Sequence, residues 1–153
     1  MKGSNMLFVA SWVILLVVSA AILLLSANSL WIAYKGGNDV LTPGYTLTQI
    51  GEQGGEQAAK AFRGRRATAA TWAMGYALLA LAVTWIPYRR GERWAWWAIL
   101  VALGLPQLLS LARALALVST AGTGAPAVLL AFIFLALLAG APRMFWKREL
   151  ARV

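Results

Sequence analysis

Arg113 is the only charged side chain inside an apolar run of this 153-residue chain, and Gln107 and Ser110 lie in the same run. The chemistry open to such a group is anion binding, because a guanidinium presents its N–H donors in a planar fork that fits a carboxylate or a phosphate. Arg113 stands about 7 to 8 Å from the outer end of its run at 1.5 Å per residue, near enough to snorkel to a headgroup layer. Turned inward, it would pair with Glu52 or Glu56 of a preceding loop, or receive the anionic group of an amphiphile beside Gln107 and Ser110.

Other chemistries lack their residues. The chain has no Cys and no His, which removes thiol catalysis, disulfides, imidazole relays and the usual haem and zinc ligands. The acids are Asp39, Glu52, Glu56, Glu92 and Glu149, all outside the apolar runs. Proton- or cation-coupled transport generally needs a carboxylate within the membrane. Ser, Thr and Tyr hydroxyls have no base in view to activate them. The sequence therefore predicts no catalytic residue, no metal ligand, no cofactor and no enzyme.

The elements that would position Arg113 are four apolar runs, Met6 to Ala27, Thr68 to Pro87, Trp94 to Val118 and Ala125 to Ala141. Each is long enough, or nearly so, to cross a hydrocarbon core of about 30 Å as a helix. Hydrophobic residues make up 61% of the chain and charged ones 12%, and mean hydropathy is +0.69. A soluble fold of this length could not hide so much apolar surface. Runs without period-2 alternation select helices over barrel strands. The expectation is an all-α, polytopic membrane protein: one domain, a four-transmembrane-helix bundle over 6–27, 68–87, 94–118 and 125–141, with an extracytoplasmic loop over 28–66. The first run exceeds the 7 to 15 residues or so of a signal h-region and reads as an uncleaved helix.

Basic residues set the predicted orientation. Lys2, Arg89, Arg90, Arg93, Arg143, Lys147, Arg148 and Arg152 fall on the side of the termini, so both termini should be cytoplasmic. Lys35, Lys60, Arg63, Arg65 and Arg66 lie in the long loop, and the last three abut the second run and oppose that assignment. Arg89, Arg90, Arg93, Lys147 and Arg148 are the expected contacts to anionic inner-leaflet lipids. The net charge of +9 is accounted for by these flanks, and no separate basic domain points to nucleic acid. Trp31, Tyr34, Trp85, Tyr88, Trp94, Trp96, Trp97, Phe145 and Trp146 sit where interfacial aromatic belts are expected.

Between the second and third runs, Arg89-Arg90-Gly91-Glu92-Arg93-Trp94-Ala95-Trp96 reads as a tight hairpin. Arg89 and Arg90 meet the negative end of one helix and Glu92 the positive end of the next, while Gly91 supplies a left-handed residue. This stretch, with Pro106 in the following span, resembles a pattern in small uncharacterised four-helix bacterial inner-membrane proteins. The resemblance covers mainly Tyr88 to Pro106 and implies a bacterial plasma (inner) membrane location without an activity. The layout is also similar to the DoxX-like and emopamil-binding-related four-helix families, but their functional residues have no counterpart here.

In the long loop, Thr42-Pro43 has the form of a helix start, and Thr46 with Gln49 that of a capping box. Beyond it Leu47, Ile50, Ala58, Ala61 and Phe62 fall on one side and Gln49, Glu52, Gln53, Glu56, Gln57, Lys60 and Arg63 on the other. This predicts an amphipathic helix weakened by Gly51, Gly54 and Gly55. Pro106 should kink the third helix. Ala69, Ala73 and Ala77, Ala98 and Ala102, and Ala136 with Gly140 have the spacing of close helix contacts. Two functions remain: a non-catalytic accessory or interaction subunit, as a homo-oligomer or with a membrane-protein partner, or a binding or carrier protein for an amphiphilic, lipid-like anion in an outward-facing cavity.

Overall fold

The computed structural model describes residues 2–35, 40–42, 45–116 and 123–145. Helix α1 is Lys2–Lys35, and strands β1 (Val40–Thr42) and β2 (Tyr45–Thr46) pair antiparallel. Helix α2 is Leu47–Val83 and continues into a π-helical turn, Thr84–Tyr88. Helix α3 (Arg93–Ile99), a second π-helical segment (Leu100–Gly104) and α4 (Leu105–Ala116) follow without a break. Helix α5 is Gly124–Phe145. Four helical stretches, Met6–Lys35, Gly51–Tyr88, Arg93–Arg113 and Gly124–Phe145, are long and apolar enough to cross a membrane. The helical expectation holds, apart from the short strand pair.

The helices run past the apolar segments. α1 continues from Ala27 to Lys35, and the expected loop helix is the first part of α2. Nothing between Asn28 and Lys35 breaks a helix. Leu47 to Val83 contains no proline, and of its glycines Gly55 breaks the helix into two stretches that meet at a kink. Only Gly55 leaves helical geometry, at φ 79° and ψ 169°. The capping box forms as expected: Gln49 N–H donates to Thr46 Oγ1 at 3.2 Å and Thr46 N–H to Gln49 Oε1 at 2.9 Å. Thr42 is the end of β1 and does not cap a helix.

Both π segments adjoin a proline. Pro87 and Pro106 have no N–H to give the carbonyl four residues back, and their rings crowd that turn. Around Pro87 the ladder closes by longer steps, with Arg89 N–H on Thr84 O at 3.3 Å and Glu92 N–H on Pro87 O at 3.1 Å. Pro106 acts similarly on the third helix, where Leu105 N–H reaches back to Leu100 O. The expected kink at Pro106 is thus a widened turn just before it.

The chain divides into two compact units. The first comprises residues 1–21 and 76–153. Its core is Phe8, Ser11, Leu15, Val18 and Ser19 from α1, Ala77, Ala80, Thr84 and Tyr88, Ala95, Ile99 and Leu103, and Ile133, Ala136, Leu137, Gly140 and Met144 from α5. Small residues at Ala77, Ala80, Ala95, Ala136 and Gly140 let backbones approach closely. The second unit, residues 22–75, pairs the end of α1 with the start of α2. Its seam buries Ser26, Ala33 and Ala70 and half-buries Ala59, Arg63, Arg66 and Ala67. Phe62 and Ala61 point outward, so the inner face of α2 is rotated from the one its apolar side chains suggested.

Candidate functional site

Buried polar groups gather at one point of the first unit. Ser11 Oγ lies 2.7 Å from the carbonyl oxygen of Ala136 and 2.6 Å from the hydroxyl of Tyr88. A serine has one proton, and a carbonyl can only accept, so Ser11 donates to Ala136 O and the Tyr88 hydroxyl donates to Ser11 Oγ. α1, the end of α2 and α5 are thereby joined through one serine. Gly140 floors the node, where a Cβ would overlap the Tyr88 hydroxyl and stand 2.7 Å from Ser11 Oγ. Phe8 stacks parallel on the Tyr88 ring at 5.9 Å, and the Arg143 guanidinium lies 4.2 Å from the centre of the Phe8 ring.

The hairpin at Gly91 sets the next contacts. Gly91 has φ 78°, the left-handed conformation expected of it. Glu92 then opens α3, and its carboxylate accepts from Trp94 Nε1 at 2.6 Å. Arg93 reaches the end of α5, donating Nε to Met144 O at 3.0 Å and Nη2 to Phe145 O at 3.2 Å. Carbonyls of a last helical turn have no partner within the helix, and a cation there also meets the negative helix pole. Trp96 Nε1 donates to Leu137 O at 2.8 Å.

Of the expected inner-leaflet contacts, Arg89 is exposed and lies over Trp12 and Trp85 at 5.4 and 5.7 Å. Arg90 is exposed, and Arg93 is exposed while bonding α5. Lys147 and Arg148 lie outside the described residues.

Arg113 is exposed in the last turn of α4, with Gln107 and Ser110 half-buried. Ser110 shares a face with each of them at three residues' separation. Gln107 and Arg113 are about 120° of helix rotation apart and do not converge. Glu52 and Glu56 are exposed in the second unit, where Glu56 Oε1 meets Lys60 Nζ at 2.8 Å.

A half-open groove of about 320 Å³ runs between α1 and α5, lined by Val13, Val17, Ala21, Val128, Phe132 and their neighbours, with no polar surface. None of Arg113, Gln107 or Ser110 borders it. Among the described residues no cluster of three His, Cys, Asp or Glu side chains could hold a metal.

The Ser11–Tyr88–Gly140 node was missed because Tyr88 reads as an interfacial aromatic. It is 0% exposed, whereas Trp85, three residues earlier, is 54% exposed. The available signal was Ser11 and Ser19 in a run whose one other polar residue is Ser26, eight residues apart and so on nearby faces of a helix.

The described residues define a class: a predominantly helical chain with four helices long and apolar enough to cross a membrane, its first unit pinned by side-chain-to-backbone hydrogen bonds. Compared with known proteins, the chain matches no family model, no curated protein and no solved structure.

Proposed function

We propose that this chain is a bacterial multi-pass inner-membrane protein with cytoplasmic termini, acting as a non-catalytic accessory or interaction subunit that receives a helix of a membrane-protein partner. The observation that carries this reading is the direction of the polar groups. Ser11, Tyr88, Arg93 and Trp96 each bond another element of the same unit, while the α1/α5 groove is apolar throughout. An enzyme or a carrier of polar cargo would aim polar groups into its cavity. A groove lined by Val, Ile, Leu and Phe instead offers dispersion contacts to another apolar helix, the main source of association where water is absent.

Native mass measurement after extraction in mild detergent tests the reading. The expected species is an oligomer or a complex with a second membrane protein, lost when Val17→Trp or Val128→Trp fills the groove. A monomer with no co-purifying protein overturns it.

A further inference from the structure

We propose that Arg63, Arg66 and Ser29 form a seat for the phosphate group of an anionic phospholipid, in the seam between the two helices of the second unit. Arg66 Nε donates to Ser29 Oγ at 3.0 Å, which holds Arg66 against α1. Arg63 is one turn away on the same face of α2. Its Nε is shielded from solvent and has no hydrogen-bond partner. A shielded charged donor calls for an acceptor, and a phosphate satisfies guanidinium N–H groups in pairs.

Charge points the same way. The segment from Ile22 to Gly75 holds Lys35, Lys60, Arg63, Arg65 and Arg66 against Asp39, Glu52 and Glu56. Glu56 is engaged by Lys60. Glu52 is exposed and lies beyond the helix break at Gly55, three turns from Arg63. Asp39 lies outside the described residues. Like charges at i,i+3 repel, and an anion shared by Arg63 and Arg66 relieves that repulsion.

The seat also lies at headgroup depth on the membrane-spanning reading, on which the lipid assignment rests. Ser29 follows the apolar run of α1, and Arg66 precedes that of α2. Trp31 and Tyr34 are exposed beside it, with Lys35 Nζ 4.1 Å from the Trp31 ring centre. Leu24, Leu25 and Trp72 present exposed apolar surface on the side of the spans, where acyl chains would lie.

The test is native mass spectrometry of the full chain released from bilayer discs of phosphatidylglycerol or phosphatidylcholine. Wild type should retain phosphatidylglycerol in preference to phosphatidylcholine. Arg63→Gln and Arg66→Gln should each lower retention roughly tenfold, as expected for losing a charge-assisted hydrogen bond, while the exposed Arg65→Gln should not. Arg63→Lys and Arg66→Lys keep the charge without the fork, and should lose retention with helicity intact by circular dichroism. Equal retention in wild type and the Arg63 and Arg66 variants overturns the seat. Saturable binding of inorganic phosphate by lipid-free protein, without lipid preference, overturns the lipid as its occupant. Extraction of wild type from membranes by alkaline carbonate would overturn the membrane reading separately, leaving the phosphate measurement to judge the residues.

Discussion

The hydroxyl of Tyr88 occupies the space in which a side chain at Gly140 would begin. The glycine is therefore required by a tyrosine 52 positions earlier in the chain, through steric exclusion, at a point where Ser11 also bonds the backbone of α5. Gly140→Ala should destabilise the bundle by about 1 to 3 kcal/mol, the usual range for overpacking. In a Ser11→Ala/Tyr88→Phe background both crowding oxygens are gone, and the added methyl should cost much less. Thermal unfolding in detergent across this cycle measures the coupling, and equal penalties in the two backgrounds would remove the steric account.

Thr84 offers a test of opposite sign. Its side chain is fully buried, and Oγ1 has no hydrogen-bond partner. Thr84→Val keeps the shape and deletes the unsatisfied hydroxyl, so it should leave stability unchanged or raise it by about 1 kcal/mol. A loss of stability would mean that the hydroxyl is bonded in the folded protein.

Arg93 caps α5 through two carbonyls, so Arg93→Ala should destabilise by about 1 to 2 kcal/mol and speed amide exchange in the last turn of α5. Arg93→Lys retains the charge but cannot reproduce the fork, and should recover less than half of the loss. Unchanged exchange in Arg93→Ala would show that the cap is not formed.

The proposed orientation predicts which positions an impermeant thiol reagent reaches on intact cells. The chain has no native cysteine, so Asn38→Cys and Gln53→Cys should label, while Arg90→Cys and Arg152→Cys should not. The hairpin is probed at Arg90, which is exposed, because the φ of 78° at the adjacent Gly91 disfavours any side chain there. Labelling of the second pair alone would invert the topology.

Local sequence carried much of the fold. Apolar runs fixed four long helices, Thr46 and Gln49 formed their reciprocal cap, and Gly91 took the left-handed turn, because each depends on residues within a few positions. Candidate sites were less legible. Arg113 stood out by its charge, but a lone charge in an apolar run does not reveal which neighbours converge on it.

What composition and periodicity determined is the presence of helices long and apolar enough to cross a membrane, a property of hydrophobic length alone. What only the tertiary structure decided is which face of each helix turns inward. In apolar segments the two faces differ little in hydrophobicity, so packing chooses by size and hydrogen bonding. That choice buried Tyr88 instead of leaving it in a belt, turned Phe62 outward, and placed Arg63 and Arg66 in the seam of the second unit. It also left no room for a side chain at Gly140, because Tyr88 and Ser11 come from distant parts of the chain and meet only when the helices pack.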